Sequence, residues 1–458
     1  MKPLTLDEIL TAISGRPLSE ITPGTVTGVS IDSRTVAAGD IFFAIKGQRF
    51  DGHDYVGEAL EKGASWAVVS SAERFADSVF QSRAISVDDT VAALGRLGAY
   101  HRRQVSADVI AVTGSNGKTT TKAMIGHVLS AQKRGRSAHK SYNNHIGVPL
   151  TLLSSEADDE FLVVEVGTNH PGEIGQLASL IAPDIGVITS VGAVHLEGLK
   201  SIDGVIAEKL SLLDRIRRGG LAVVNIDEPR VRDRLRSSSG FTVVSTGTDP
   251  HADLRIEHVV SDGASISFSI NGRFAVTMPI PGRHNAGNAL AAFAVARRLG
   301  MSSEDIIRRL ATFKLPEMRL QMQRRGNITV INDCYNANPA SMEAAMDTIG
   351  SMDTPGRRVA IVGDMRELGE HARGHHEELG RLVARSNIDV LLTVGRFADV
   401  VCDAARRAGS DRLVLHASRS VDELSSRIGT LLKPTDTVLL KGSRALRLER
   451  LIEHIAGH

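Results

Sequence analysis

The sequence predicts an α/β protein of three domains with mainly parallel sheets. Short apolar, β-branched runs alternate along most of the chain with longer segments of helical periodicity, which is typical of strand–helix–strand units. The chain has 458 residues, too many for one ordinary hydrophobic core. Together these two observations predict two to four α/β domains.

The predicted strands fall into two groups. The first group comprises residues 109–112, 161–164, 185–188 and 221–224, and the second comprises 328–331, 359–362, 390–392 and 438–440. The stretch before about residue 105 differs, with strand-like pieces near residues 29–31 and 41–45 and one helix-plus-strand unit ending at 66–69.

Domain boundaries follow from this grouping. Polar residues 102–104 predict a first linker, and residues 313–316 predict a second boundary. The predicted domains are therefore residues 1–105, 106–314 and 315–458.

Composition excludes several classes of protein. The 54 Lys and Arg residues balance 53 Asp and Glu, so no basic field predicts a nucleic-acid partner. Only two cysteines, Cys334 and Cys402, are present, which excludes a disulfide scaffold and fits a reducing compartment. No run approaches the roughly 20 apolar residues that span a bilayer, and acidic residues follow the first Met where a signal peptide needs an apolar run. We expect a cytoplasmic protein.

A phosphate-binding loop is the strongest local signal. The strand at 109–112 leads into Thr-Gly-Ser-Asn-Gly-Lys-Thr-Thr-Thr at 113–121 and then into a helical pattern. Glycines let backbone N–H groups converge on phosphate oxygens, and the helix N-terminus adds partial positive charge. Lys118 would reach the terminal phosphates and the Thr119 hydroxyl would ligate magnesium. Val112 replaces the first glycine of the strict motif, so a tight turn without a ligand is the competing interpretation.

Three further residues are candidates for a metal and catalytic site. Glu165 ends a predicted strand, at the sheet edge where ligands of parallel sheets bind. His195 follows the next strand at the same edge. A hydrogen-bonded loop acid and a structural histidine are the alternatives, and spacing alone makes Lys209 an ordinary helix-surface lysine.

These motifs resemble the Mur ligases of bacterial cell-wall synthesis. The resemblance covers essentially the whole chain and extends beyond the Thr-Gly-x-Asn-Gly-Lys-Thr loop. Its other landmarks are Tyr-Asn-Asn-His-Ile-Gly-Val-Pro at 142–149, Glu-Val-Gly-Thr-Asn-His-Pro-Gly-Glu at 165–173, His-Asn-Ala-Gly-Asn-Ala at 284–289, Tyr-Asn-Ala-Asn-Pro at 335–339 and Gly-Asp-Met-Arg-Glu-Leu-Gly at 363–369.

The resemblance implies an activity and an architecture. It implies an ATP-dependent carbon–nitrogen ligase that joins D-alanyl-D-alanine to UDP-N-acetylmuramoyl-tripeptide through an acyl phosphate, giving the UDP-linked pentapeptide for peptidoglycan. The implied domains are a small N-terminal α/β UDP-binding domain, a central P-loop ATPase domain and a C-terminal Rossmann-like domain contacting nucleotide and dipeptide. ATP and Mg²⁺ would be required, and a monomer is expected.

The same resemblance implies roles for individual residues. Lys209 would be carbamylated by CO2, becoming an anionic magnesium ligand beside Thr119, Glu165 and His195. The implied catalytic set is Lys118, Glu165, His195 and Lys209. The implied nucleotide contacts are Gly114, Asn116, Gly117, Lys118, Thr119, Thr120, Asn285, Asn288, Arg319 and Asp333. The implied substrate contacts are Ser33, Arg34, Lys46, Asn143, Asn144, Tyr335, Asn336 and Asn338. Helix N-capping competes as the role of Asn285 and Asn288.

Two departures and two rival functions remain. Asn332 and Cys334 stand where the family usually has Asp and Ser. The cluster at 375–378, His-His-Glu-Glu, could indicate a second metal, but a solvated helix start is favoured. One rival is a sibling ligase adding lysine or diaminopimelate, or a folylpolyglutamate synthase. The other is a regulatory nucleotide switch, although no guanine-reading Asn-Lys-x-Asp motif occurs.

Overall fold

The computed structural model describes residues 1–235, 240–409 and 413–455, and all eight predicted strand segments are strands in it. The sheets lie in three successive parts of the chain, as predicted. The exact domain boundaries stay a prediction.

The N-terminal part holds a two-stranded and a five-stranded sheet. Its elements are β1 (Leu4–Thr5), α1 (Leu6–Ile13), β2 (Arg16–Pro17), β3 (Thr25–Val26), β4 (Gly28–Ser30), β5 (Asp40–Phe43), α2 (Val56–Glu61), β6 (Trp66–Val69), β7 (Ala84–Ser86) and α3 (Thr90–Gln104). The larger sheet has the order β2-β7-β6-β5-β4, parallel except at β2.

Helix α3 continues through the predicted first linker. Residues 102–104 form its last turn, and Arg102 is buried. Its guanidinium donates to the carboxylate of Asp184 at 2.6 Å and to the carbonyl of Ile181 at 3.0 Å. Residues 102–104 are therefore helical, and Arg102 contacts the next part of the chain instead of facing water. Their role as the first linker stays a prediction.

The central part is built on a nine-stranded sheet. Its elements are β8 (Asp108–Thr113), α4 (Lys118–Leu129), β9 (Gly135–Ser137), α5 (Gly147–Leu153), β10 (Phe161–Glu165), α6 (Glu173–Ile181), β11 (Ile185–Ile188), α7 (Leu196–Leu199), α8 (Ile202–Leu210), β12 (Leu221–Asn225), α9 (Pro229–Arg234), β13 (Thr242–Gly247), β14 (Leu254–Ser261), β15 (Ile266–Ile270), β16 (Phe274–Met278), α10 (Asn285–Arg298) and α11 (Ser303–Leu310).

This central sheet has the order β16-β15-β14-β13-β12-β11-β8-β10-β9 and is parallel from β9 to β14. Successive residues of β8 face opposite sides: Ile110 and Val112 pack with α4 and α10, whereas Val109 and Ala111 pack with α6. Both faces are covered, which explains the uninterrupted apolar run. The pairing places Glu165 beside Val112, directly below the start of the phosphate loop.

The C-terminal part is a second doubly wound unit. Its elements are β17 (Gln321–Arg325), β18 (Ile328–Asn332), α12 (Pro339–Ser351), β19 (Arg358–Gly363), α13 (Ala372–Arg385), β20 (Val390–Val394), α14 (Ala398–Arg407), β21 (Val414–Ser418), α15 (Val421–Ser425), α16 (Ile428–Leu431) and β22 (Thr437–Lys441). The sheet order is β17-β18-β22-β19-β20-β21, with only the edge strand β17 antiparallel.

None of the helices in the described residues combines the length and apolarity that crossing a bilayer requires.

Candidate active site

The phosphate loop joins β8 to α4 at the carboxyl edge of the central sheet. Gly114 and Gly117 adopt positive φ of 154° and 81°. A Cβ on Gly117 would lie 2.2 Å from the Asn288 amide oxygen, so only glycine fits here. The Lys118 ammonium donates to the Gly114 carbonyl at 2.6 Å, and burial lowers its pKa. The loop thus has the glycine geometry that a phosphate cradle requires.

Glu165 is buried between two donors. The Asn143 amide donates to its Oε1 at 3.0 Å, and the Lys122 ammonium lies 3.3 Å from Oε2. Burial lowers the pKa of Lys122, while the charge of Glu165 opposes that shift. Oε2 makes no hydrogen bond, and it faces the Lys122 ammonium in an ion pair that a bound metal ion would have to share or displace.

Lys209 lies on α8 and is fully buried. Its ammonium nitrogen has no hydrogen-bond partner within the described residues. Burial, followed by the positive charge of Lys118, holds the pKa of Lys209 well below its usual value. Its interpretation as an ordinary surface lysine is therefore wrong. The lowered pKa shifts the equilibrium toward the neutral amine that carbamylation needs.

His195 has a partner in the C-terminal part of the chain. Its Nδ1 lies 2.6 Å from a carboxylate oxygen of Glu367. That hydrogen bond, ahead of other causes, lowers the pKa of Glu367. Magnesium prefers oxygen ligands, so Thr119, Glu165 and a Lys209 carbamate suit it better than the imidazole does. Its role as a metal ligand stays a prediction.

No three His, Cys, Asp or Glu side chains come together as a metal site in residues 1–235, 240–409 and 413–455. A magnesium ion here would need oxygen ligands beyond those of the side chains, such as those of nucleotide phosphates. Glu165 offers one oxygen without a hydrogen bond, Oε2, and the unpartnered amine of Lys209 would supply oxygens if it were carbamylated. The His-His-Glu-Glu cluster at 375–378 lies near the start of helix α13, but not all of it is solvated. His376 is buried and accepts a hydrogen bond from the Met365 N–H at 3.0 Å.

The predicted adenine contacts are engaged within the protein. Asn285 donates to the Pro281 carbonyl at 2.8 Å, and Asn288 donates to Asn285 at 2.9 Å. The Asn288 oxygen accepts from the Thr121 hydroxyl at 3.0 Å. These bonds tie α10 to the phosphate-loop helix, so both side chains brace the loop as well as lining the cleft.

The C-terminal residues approach the phosphate loop directly. Asn338 caps α12 and exchanges amide hydrogen bonds with Asn116, at 2.7 and 3.3 Å. The Arg319 guanidinium lies 3.3 Å from the Thr119 hydroxyl and 4.1 Å from the Tyr335 ring centroid. The third domain therefore closes over the nucleotide loop in this structure.

Asp333 has a partner that sequence reasoning missed. The buried ammonium of Lys441, at the end of β22, lies 2.5 Å from its carboxylate and 3.1 Å from the Asn336 carbonyl. Lys441 could have been found by the logic applied to Glu165, because a polar residue ends an apolar strand. Lys122 could also have been found, since it lies one helical turn after Lys118.

Most of the predicted residues line one cavity of about 880 Å³ between the two larger parts of the chain. The lining includes Asn116, Gly117, Lys118, Thr120, Asn143, Asn144, Glu165, His195, Asn285, Asn288, Arg319, Asp333, Tyr335, Asn336 and Asn338. Gly114, Thr119 and Lys209 are not among its lining residues. Asn144 also accepts from the Gly147 N–H at 2.9 Å, at the start of α5.

The three N-terminal candidates lie outside that cavity. Ser33 is buried and donates to Glu58 at 3.0 Å, whereas Arg34 is exposed and pairs with Asp32 at 2.6 Å. That pair lowers the pKa of Asp32 to about 2. Lys46 is exposed and bridges through its backbone to Asp51. Their assignment to the UDP end of a substrate stays a prediction.

The fold and the site define a three-domain nucleotide-binding α/β enzyme. Its three parts match family domains described as "Mur ligase family, catalytic domain" at 25–103, "Mur ligase middle domain" at 112–296 and "Mur ligase, glutamate ligase domain" at 318–444. The UDP-N-acetylmuramoyl-tripeptide–D-alanyl-D-alanine ligase of Bacillus subtilis is 33% identical, with 94% of this chain and 93% of that protein covered.

Solved structures agree with this match. MurF from Acinetobacter baumannii superposes with a TM-score of 0.88 at 31% identity, covering 99% of each chain. MurF from Thermotoga maritima in complex with ADP gives 0.81 at 27% identity, covering 94% of this chain and 97% of that one. The chain belongs to the Mur ligase family, whose members are ATP-dependent ligases.

Proposed function

We propose that this protein joins D-alanyl-D-alanine to UDP-N-acetylmuramoyl-tripeptide at the expense of ATP. The observation that carries the proposal is the contact between Asn116 of the phosphate loop and Asn338 of the Tyr-Asn-Ala-Asn-Pro segment. That contact sets a phosphate-transfer loop against candidate acceptor-binding residues in one cavity. Its relatives that carry this activity in their names cover nearly all of the chain.

The reaction proceeds in two steps. The tripeptide carboxylate attacks the γ-phosphorus of ATP, so a C–O–P bond forms and the bond to ADP breaks. The amine of D-Ala-D-Ala then attacks the acyl carbon, a C–N bond forms, phosphate leaves and a proton is released. Lys118 and the loop N–H groups stabilise charge on the transferred phosphoryl group. The closed third domain excludes water that would hydrolyse the acyl phosphate.

Mg²⁺ would be held by Thr119, Glu165 and a carbamylated Lys209, and it would neutralise phosphate charge in this step. Carbamylation consumes a neutral amine and CO2, forms an N–C bond and releases one proton. The buried, unpartnered nitrogen of Lys209 supports that modification. Asp333 and the Asn285–Asn288 pair would hold the nucleoside, and Tyr335 and Asn336 would position the dipeptide.

The test is phosphate release from ATP with the UDP-muramoyl tripeptide, comparing D-Ala-D-Ala with D-alanine alone. We expect release only with the dipeptide, and a product heavier by one dipeptide less water. Release with a single amino acid would assign the protein to a sibling ligase. No substrate-dependent release from folded protein would favour the nucleotide-switch hypothesis.

A further inference from the structure

The ion pair between His195 and Glu367 joins two domains across the proposed reaction site. His195 follows β11 in the central domain, and Glu367 lies 172 residues later, in the loop after β19. The two side chains meet at 2.6 Å, and both residues line the main cavity. The pair can form only when the third domain lies against the central one, as the Asn116–Asn338 contact also requires.

Both partners are held in unusual backbone conformations. His195 has φ of 53° and Glu367 has φ of 64°, in the left-handed region that residues with a Cβ rarely adopt. The carbonyl of Glu367 also accepts from the Glu197 N–H at 3.4 Å, so the two loops touch through backbone as well. Strained conformations persist where the surrounding structure enforces them, and they concentrate at functional sites.

The loop that carries Glu367 is fixed from behind. The Met365 N–H donates to His376 at 3.0 Å, and the Arg366 N–H donates to the Ser443 hydroxyl at 3.0 Å. The ring of His376 in turn stacks on Phe397, with centroids 4.3 Å apart. A well-anchored loop of the third domain therefore holds Glu367 in place. The Glu367 side chain itself is half exposed.

We propose that Glu367 is a positioning residue that orients His195 for the phosphoryl-transfer step once the third domain closes. A carboxylate on one ring nitrogen fixes the tautomer and orientation of an imidazole. Engaging Nδ1 leaves Nε2 as the nitrogen that meets the phosphate or metal. Only the closed enzyme has His195 held in this way, so the pair links domain closure to chemistry. This inference rests on the proposed function.

The experiment compares Glu367→Ala, Glu367→Gln and the control Glu370→Gln in the ligation assay. Glu370 lies three residues further along, in the 3-10 turn Gly369–His371, and its side chain is 90% exposed. We expect Glu367→Ala to lower kcat about 10- to 100-fold, as for other partners that orient functional histidines, with little change in KM for ATP. Glu367→Gln keeps an acceptor oxygen and should lose less, and Glu370→Gln should match the wild type.

A double-mutant cycle with His195→Ala separates positioning from a structural role. We expect Glu367→Ala to cost no further turnover once the imidazole is gone. The inference would be overturned if Glu367→Ala lowered kcat by the same factor with and without His195, or if Glu367→Ala kept the wild-type kcat. Thermal unfolding checks that each variant is folded. If Glu367→Ala does not fold, the same comparison is made with Glu367→Gln. If the wild-type enzyme does not join D-Ala-D-Ala to the UDP-linked tripeptide, the proposed function itself is refuted.

Discussion

Lys209 is fully buried, although its spacing in the sequence predicts a lysine on a helix surface. We predict that Lys209→Met leaves the protein at least as stable as the wild type, because the variant no longer buries an unpartnered amine. Activity should nevertheless be lost, since Met cannot become a carbamate. Turnover of the wild type should fall in CO2-depleted buffer and return with bicarbonate. A fully active Lys209→Ala variant without CO2 dependence would refute the carbamate hypothesis.

The Lys441–Asp333 pair gives a second prediction at this scale. Lys441→Met removes the charged partner of the Asp333 carboxylate, which is largely shielded from solvent. We expect the free energy of unfolding to fall by about 3 kcal/mol. Lys433→Met, at an exposed lysine, is the control and should change it by less than about 0.5 kcal/mol. Denaturant unfolding measures both. The double variant with Asp333→Asn should recover part of the loss, and an unchanged single variant would contradict the account.

The phosphate loop is the element with the strictest backbone requirement. Gly117→Ala puts a Cβ against the Asn288 amide at positive φ, so we expect ATP binding to weaken about tenfold or more. Gly374→Ala is the matched control, because nothing lies within 4 Å of its added Cβ on helix α13. That control should stabilise the protein by about 0.5–1 kcal/mol. Calorimetric titration with ATP distinguishes them, and equal affinities would contradict the assigned loop geometry.

Helix α3 joins the first two domains through a buried histidine. His101 accepts from the Lys2 N–H and bonds the Leu152 carbonyl, and burial lowers its pKa from 6.5 to about 4. The unfolded chain therefore binds more protons between those values, so stability falls as pH drops from 6.5 to 4, by about 3 kcal/mol.

His101→Gln should remove most of that acid-dependent loss, because an amide can make both hydrogen bonds without titrating. Unfolding free energies measured across this pH range check it, with His258→Gln at an exposed site as the control. The same pH dependence in His101→Gln and the wild type would show that other groups control acid stability.

At the scale of the whole molecule we predict a hinge near residues 312–319, between the central and third domains, because the third domain must close over the nucleotide to exclude water. Asn338→Ser keeps a helix cap but is too short to reach Asn116, so we expect the ligand-free molecule to expand. ATP with the UDP-muramoyl tripeptide should contract it again. Small-angle scattering measures both changes, with the wild type as the reference. Curves unchanged by ligand in both proteins would argue against the hinge.

The sequence alone determined the α/β class, the strand segments and the phosphate loop, because these follow from local periodicity and from glycine chemistry within a few residues. It also identified the polar strand end at Glu165. The tertiary structure decided what those residues touch. His195 meets Glu367 172 residues away, Asp333 meets Lys441 108 residues away, and Asn116 meets Asn338 222 residues away. Such contacts depend on how sheets and domains pack, which no local pattern encodes, and so does the burial that sets the protonation of Lys209.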